Sequence, residues 1–242
     1  MVTLALFNKS PSLIEALRNV EDCPVCLLCK KDLEYFYRWY FNEYYNDTTW
    51  IAKILDSMGF CSKHSWDLIR KGKDHEMSLV YEYLVKSTIV KLDRVSEELK
   101  KVELNKSRIR KVINNKHLKE IKKQLEPTEV CPICKSISER TTTWIENLLM
   151  DLKDQEIKEL YLDSYGLCMN HFNLALESAP SEAVETLIQK QTEVLRKINS
   201  DLEEYSRKLD YRYSHEPKGE EQTAWIRAIK IVCLKTSAKL PA

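Results

Sequence analysis

Two short motifs that carry potential metal ligands each occur twice in this chain. C-P-x-C appears twice at an offset of 108 residues, and C-x-x-H appears twice at an offset of 107 residues. Thiolates and imidazoles are the ligands that structural zinc sites use. The candidate ligands are Cys23, Cys26, Cys61, His64, Cys131, Cys134, Cys168 and His171.

The spacing within these motifs favours a metal over other thiol chemistry. A C-x-x-C turn holds two sulfurs about 3.5 to 4 Å apart, as a tetrahedral zinc ion requires. Four protein ligands close the coordination shell and leave no position for water, so the sequence predicts two structural Zn²⁺ ions per chain. Three alternatives stay open: an iron–sulfur centre, a glutaredoxin-like C-P-x-C redox turn, and disulfides.

The repeated motifs also predict how the ligands are shared. Nine residues ending at His64 match nine ending at His171 at five positions, so the chain is a tandem duplication. We expect each ion to take all four ligands from one repeat, since each half would then fold around its own metal; exchange of half-sites is the alternative. Cys29 could replace His64, but its counterpart in the second repeat is Ile137, which favours a buried cysteine. We also expect Cys233 to be a core residue.

The elements that position these ligands are predicted to be helices. Only 4 glycines and 7 prolines stand among abundant Lys, Glu, Leu and Ile, which is poor material for hairpins. The fold class is therefore all-α, with two tandem helical repeats. Each C-P-x-C should open a helix, Asn46 or Asp47 should cap the next one, Gly59 should end it with φ > 0, and Cys61 should open a third.

Two longer helices are predicted from apolar residues at intervals of three and four. One runs to about residue 101 and the other covers about 184–209. We expect them to pack together like a coiled coil and join the repeats, or else each to cover its own metal module. The predicted segments are a first repeat at 1–101, a basic connector at 102–127, a second repeat at 128–209, and a C-terminal tail and helix at 210–242.

One segment has a strong charge bias. Residues 100–123 hold ten Lys or Arg against two Glu, a net charge of +8 that leaves −7 on the rest of a chain whose total is +1. The basic residues are Lys100, Lys101, Lys106, Arg108, Arg110, Lys111, Lys116, Lys119, Lys122 and Lys123. Such a segment can neutralise phosphates with little base specificity. Trp50, Trp66 or the tyrosines at 35–45 could add base stacking. The alternative is a solvated helix face.

Several function classes find no support in the sequence. No G-x-S-x-G, phosphate-binding glycine loop or H-E-x-x-H motif is present, so we predict no enzymatic activity and identify no small-molecule substrate. No signal peptide or membrane span is predicted, which favours the cytoplasm. The Lys- and Glu-rich composition is typical of a thermophile.

His75, His117 and His215 are expected at the surface or at helix caps. Glu220 and Glu221 beside Arg212 and His215 could form a polar site, but a solvated tail is favoured.

The C-P-x-C and G-x-C-x-x-H motifs, together with the tail from Tyr211 through Glu221 to Trp225, resemble a family of bacterial and archaeal cysteine-rich helical proteins of unknown function. The resemblance spans nearly the whole chain. It implies paired metal sites at the eight candidate ligands and marks residues 212–225 as a family feature. It implies no activity, and it does not extend to the basic segment.

Two functions follow as expectations. The first is a non-enzymatic, zinc-stapled helical binding protein whose basic segment associates with RNA or a ribonucleoprotein such as the ribosome. The second is an iron–sulfur or thiol-based redox or metal-sensing protein, in which the basic segment would dock an acidic protein. A protein-binding adaptor that uses the long helices is a third possibility.

Overall fold

The computed structural model describes residues 10–104, 115–213 and 215–232, and it contains no β-strand within those ranges. The all-α prediction is therefore confirmed for the described chain. The helices are α1 Pro11–Leu17, α2 Pro24–Trp39, α3 Thr48–Asp56, α4 Ser62–Arg70, α5 Asp74–Leu104, α6 Asn115–Leu125, α7 Pro132–Asp151, α8 Gln155–Asp163, α9 Met169–Ser178, α10 Ser181–Lys208 and α11 Ala224–Val232. A π-helical turn at Tyr40–Tyr44 extends α2, and a 3₁₀ turn at Glu220–Thr223 precedes α11.

The helix ends follow local capping rules. Asp47 caps α3 as predicted, because its side chain accepts hydrogen bonds from the backbone N–H groups of Thr49 and Trp50 at 2.9 and 3.1 Å. Asp154 caps α8 in the same way. Proline at the first helical position of α2 and α7 lacks only an N–H that would have had no intrahelical partner.

The chain divides into two compact units. Unit 1 comprises Met1–Asp32 with Glu139–Ala242, and unit 2 comprises Leu33–Ser138. This division differs from the four segments predicted from the repeats. Those segments follow the duplication in the sequence, whereas the units are compact parts of the structure. Along the chain, α2 begins in unit 1 and ends in unit 2, whereas α7 begins in unit 2 and ends in unit 1. Each unit therefore contains one C-P-x-C motif and one C-x-x-H motif, taken from different repeats.

Each unit has its own apolar core. In unit 1 the fully buried Leu17, Leu28, Leu148 and Tyr161 belong to one cluster that also contains Cys23 and Cys168. The unit 2 core is aromatic. It is formed by Phe36, Tyr37, Tyr40, Phe41, Ile54, Phe60, Leu68, Met77, Val80, Cys131 and Ile133.

Each of the two long helices covers its own unit. The helix α5 packs against α3, α4 and α6, and α10 packs against α8, α9 and α11. These contacts match the alternative in which each long helix covers one metal module. None of the described helices combines the length and the apolar character needed to cross a membrane.

Candidate metal centres

The first centre lies within unit 1 and combines the first C-P-x-C with the second C-x-x-H. It consists of Cys23, Cys26, Cys168 and His171, whose candidate ligand atoms all lie within 4.8 Å of one another. The His171 Nδ1 atom lies 3.4, 3.5 and 3.3 Å from the sulfurs of Cys23, Cys26 and Cys168. The Cys26 and Cys168 sulfurs are 3.8 Å apart.

The second centre lies within unit 2 and has the reciprocal composition. Cys61, His64, Cys131 and Cys134 gather their ligand atoms within the same 4.8 Å limit. The His64 Nδ1 atom lies 3.2, 3.6 and 3.4 Å from the sulfurs of Cys61, Cys131 and Cys134. The Cys61 and Cys134 sulfurs are 3.6 Å apart. Both centres therefore offer three sulfurs and one Nδ1 nitrogen.

These separations are those of ligands around one tetrahedral ion. Bonds of about 2.3 Å to sulfur and about 2.05 Å to nitrogen imply sulfur–sulfur separations near 3.8 Å and sulfur–nitrogen separations near 3.6 Å. The observed distances of 3.2 to 3.8 Å lie close to these values. They also exceed the roughly 2.05 Å of a disulfide bond, and the seven described cysteines are all unbridged. The arrangement can bind a metal ion in each unit.

Helix N-termini supply every ligand. Cys23 and Cys131 immediately precede α2 and α7, with Cys26 and Cys134 in the first turns. Cys61 and Cys168 are the N-cap residues of α4 and α9, with each histidine one turn along. Each centre thus lies at the ends of two helices, where free N–H groups and the positive end of the helix dipole stabilise negative charge. The helix ends therefore partly offset the repulsion among three thiolates that would bind one ion.

Backbone hydrogen bonds fix the chain segment that leads into the second centre. The N–H groups of Thr128 and Glu129 both donate to the carbonyl oxygen of Asp56, at 2.8 and 3.2 Å. This contact fixes the residues just before Cys131 against the loop that leads to Cys61. In unit 1, the Asn19 side chain accepts from the N–H groups of Glu21 and Asp22 and shapes the turn before Cys23.

Burial makes a cation necessary if the thiols are to ionise. Burial is the largest cause of the raised pKa of Cys23. Cys134 is exposed as a whole residue, but partial desolvation of its thiol, together with the neighbouring Cys131 and Cys61, raises its pKa to about 12. Hydrogen bonds from Cys23 and Cys26 lower the pKa of Cys168, so one thiolate can be shared within the first centre. Burial also lowers the pKa of His64, which keeps its ring neutral and able to coordinate. A bound divalent cation would compensate the remaining thiolate charge.

The expectation that each repeat binds its own ion is wrong, because the structure exchanges the half-sites. The course of the chain gives the physical reason. The 16-residue α2 runs from unit 1 into unit 2, and the 9-residue α3 and α4 that follow remain in unit 2 with Cys61 and His64. The second repeat does the converse, because the 20-residue α7 runs from unit 2 into unit 1, where α8, Cys168 and His171 remain.

The other cysteine and histidine side chains that the structure describes lie outside both centres. Cys29 is half-buried beside the unit 1 core, and its sulfur lies 3.2 Å from the Thr141 hydroxyl, outside both clusters. His75 and His215 are exposed, as predicted. Cys233 and the side chain of His117 fall outside the described residues.

The glycine of each G-x-C-x-x-H motif permits a close approach to a long helix. Gly59 has φ +100°, and a Cβ atom there would lie 3.0 Å from Leu84 Cδ2 of α5. Gly166 has φ +80°, and a Cβ atom there would lie 3.4 Å from Val194 Cγ2 of α10. The motif therefore sets each C-x-x-H turn directly against the helix that covers its unit.

Replacing Gly59 by alanine should destabilise the protein more than the same change at Gly72. The φ of +68° at Gly72 is within the left-handed region and its Cβ would meet nothing within 4 Å, so we expect a loss of about 1 kcal/mol. Gly59 lies outside that region and is crowded by Leu84, so we expect a loss of about 1 to 3 kcal/mol. Urea denaturation of the zinc-loaded variants measures both, and equal losses would contradict the packing argument.

The basic segment is described only in part. Lys100, Lys119, Lys122 and Lys123 are exposed on α5 and α6. Lys101 and Lys116 belong to those helices, but their side chains fall outside the described part. Lys106, Arg108, Arg110 and Lys111 lie outside the described residues altogether.

The aromatic residues considered for base stacking separate into two groups. Tyr37 and Tyr40 are buried, and Trp50 is half-buried with its ring packed edge-on against Tyr40 and covered by Lys53. Those three residues belong to the core. Trp66 and Tyr35 remain available, since they are 58% and 62% exposed.

The tail beyond residue 209 is held to α10 by ion pairs. Arg207 pairs with Glu216 and stacks over the Tyr213 ring, and Lys208 pairs with the buried Glu221 at 3.0 Å. The N–H of Gly219 and this lysine hold the pKa of Glu221 at about 2. The polar site considered around Arg212 and His215 does not form, since Arg212 pairs with Asp210 instead. Sequence reasoning missed Arg207 and Lys208, although two basic residues closing a helix before an acidic tail are a recognisable signal.

The fold and these centres define a class of protein: an all-α chain with two four-ligand cysteine–histidine clusters that can bind metal ions. The chain belongs to a family of unknown function, DUF6062, whose model matches residues 11–239. The matched range includes the basic segment, which the sequence resemblance had not covered. No curated protein and no solved structure matches the chain.

Proposed function

We propose that the protein is a non-enzymatic, zinc-stapled helical binding protein of the cytoplasm, whose basic segment associates with RNA or a ribonucleoprotein such as the ribosome. The zinc assignment rests on one observation: three sulfurs and one nitrogen converge at single-ion distances in each of two units. Four protein ligands leave no position for a substrate, which favours a structural role over catalysis.

The same distances favour a single ion over an iron–sulfur cluster. Ligands of a cluster are separated by the width of the cluster itself, whereas each set here gathers within 4.8 Å. Elemental analysis with visible absorbance tests the assignment. We expect two zinc ions per chain and a colourless protein. Iron with visible charge-transfer bands would favour the redox alternative, with the basic segment docking an acidic partner.

The proposed RNA contact rests on the charge and exposure of the described lysines. Lys119, Lys122 and Lys123 are exposed on α6, and α6 packs against α5, which ends near the exposed Lys100. Lys122 lies 3.4 Å from Glu126, but exposed pairs of this kind contribute little and leave the lysine available. Trp66 and Tyr35, exposed in unit 2, could stack bases.

Substituting three lysines of α6 should weaken RNA binding and flatten its salt dependence. We expect Lys119→Gln, Lys122→Gln and Lys123→Gln together to lower the slope of log affinity against log salt by about 2, since each phosphate contact to a single strand contributes roughly 0.7. The matched control changes three exposed lysines of unit 1, namely Lys30, Lys153 and Lys218. Fluorescence anisotropy with a single-stranded RNA measures both. Equal slopes in the two triple variants would contradict the proposed contact.

A further inference from the structure

The two metal centres differ in how well the protein covers them. In the first centre Cys23, Cys168 and His171 are buried and Cys26 is half-buried. In the second centre Cys134 is exposed and Cys61 is half-buried, while only His64 and Cys131 are buried. Cys134 and Cys26 are equivalent, because each is the second cysteine of a C-P-x-C motif. The same ligand set is therefore shielded in unit 1 and open to solvent in unit 2.

The exposed sulfur of the second centre also has a neighbouring sulfur to react with. The Cys61 and Cys134 sulfurs are 3.6 Å apart at the starts of two helices, and a bound zinc ion would hold both of them as thiolates. A disulfide bond is about 2.05 Å long, so the two atoms must approach by only about 1.5 Å. Oxidation of cysteine follows thiolate character and exposure, and it is efficient where a second cysteine can resolve the oxidised one.

We propose that the second centre is an oxidant-sensitive zinc site, in which a hydroperoxide converts Cys134 and Cys61 into a disulfide and frees the metal, while the first centre keeps its ion. This inference rests on the zinc assignment proposed above.

The chemistry balances as a two-electron oxidation of sulfur. The Cys134 thiolate attacks one peroxide oxygen, the O–O bond breaks, and the leaving oxygen takes a proton to become water or an alcohol. The Cys134 sulfenic acid is then attacked at sulfur by the Cys61 thiolate, which forms the S–S bond and releases hydroxide, protonated to water. Two thiolates lose two electrons in total and the peroxide gains them. A bound Zn²⁺ would not be oxidised, and it would dissociate because Cys131 and His64 alone would bind it weakly.

The disulfide would leave unit 2 cross-linked at the same place. It joins the start of α4 to the start of α7, the two helix ends that the ion had joined. The basic segment lies in the stretch of chain between these two helices. Oxidation would therefore replace the zinc ion, held by four residues, with a disulfide between two of them. Cys131 and His64 would then no longer bind metal.

The test uses the full-length protein loaded with two zinc ions, counted before oxidant is added. Hydrogen peroxide is the oxidant, a chromogenic zinc chelator follows the released metal, and differential alkylation with peptide mapping locates the disulfide. The variant Cys134→His removes the exposed sulfur and supplies a ring nitrogen that can bind zinc in its place. Its control is Cys29→Ser, which removes a sulfur that lies outside both centres.

We expect the wild-type protein to release one zinc per chain at least about tenfold faster than the other, with a disulfide joining Cys61 to Cys134. The fast phase should slow about tenfold in Cys134→His and remain unchanged in Cys29→Ser. If Cys134→His cannot hold zinc, the wild-type peptide map decides alone.

Three results would overturn the inference while leaving the zinc assignment intact. They are release of both ions at one rate, a disulfide that involves the first centre, and a disulfide between Cys131 and Cys134. Fewer than two zinc ions before oxidation would instead overturn the zinc assignment, and this inference with it.

Discussion

The variant Cys131→Ser is expected to bind one zinc ion instead of two and to lose structure in unit 2. Structural zinc supplies on the order of 10 kcal/mol of folding free energy, which is comparable to the whole stability of a typical domain of about 5 to 15 kcal/mol. Serine is a poor ligand for zinc, and Cys131 lies 3.6 Å from the His64 Nδ1 atom. Removing its thiolate should therefore empty the second centre.

The location of the damage makes this variant informative. Hydrogen exchange with mass spectrometry should show lost protection in α4, which carries His64, and at the start of α7. Protection in α9, which carries Cys168 and His171, should stay near the wild-type level because those residues belong to the first centre. A loss of protection in α9 with no change in α4 would instead support the arrangement in which each repeat binds its own ion.

Cys29→Ser provides the control for the loss of a thiol as such. Its sulfur contacts Thr141 and lies outside both centres, so this variant should keep two zinc ions. Its exchange pattern should match the wild type in α4 and α9. A loss of zinc in Cys29→Ser would mean that Cys29 serves as a ligand after all.

A pair of double variants should report the ligand pairing through the zinc count alone. Cys23→Ser with Cys168→Ser alters one centre twice, so we expect one zinc ion to remain. Cys23→Ser with Cys61→Ser alters each centre once, so we expect none. If each repeat held its own ion, these two results would be reversed.

The stabilities of the same variants should follow the same logic. Once Cys23→Ser has emptied the first centre, adding Cys168→Ser removes a thiol that no longer binds metal, so the second loss should be small and the two effects strongly non-additive. Cys23→Ser and Cys61→Ser act on separate ions, so their losses should add within about 0.5 kcal/mol. Denaturation of each single and double variant in excess zinc, with metal counted on the same samples, checks both statements.

The local structure around the centres was largely predictable from the sequence. Asp47 caps α3, Cys61 begins α4, and Gly59 takes the positive φ expected after a helix. These features depend on residues within a few positions of one another, where capping and steric rules act directly. The same is true of the helix that follows each C-P-x-C motif.

Predictions that depended on distant contacts succeeded less often. Trp50 was a candidate for base stacking, yet its ring is packed within the aromatic core of unit 2. Glu221 was expected in a solvated tail, yet it is 6% exposed and paired with Lys208. In both cases the partner lies ten or more positions away in the chain, beyond the range over which capping and steric rules act directly.

The sequence by itself determined the fold class and a set of eight candidate ligands, because helical periodicity and short motifs are local properties of the chain. Only the tertiary structure decided which four ligands meet. Each C-P-x-C motif starts a helix that runs from one unit into the other, and the C-x-x-H motif of the same repeat lies in that other unit. The other repeat supplies the missing pair, and each unit is closed by residues more than 60 positions apart.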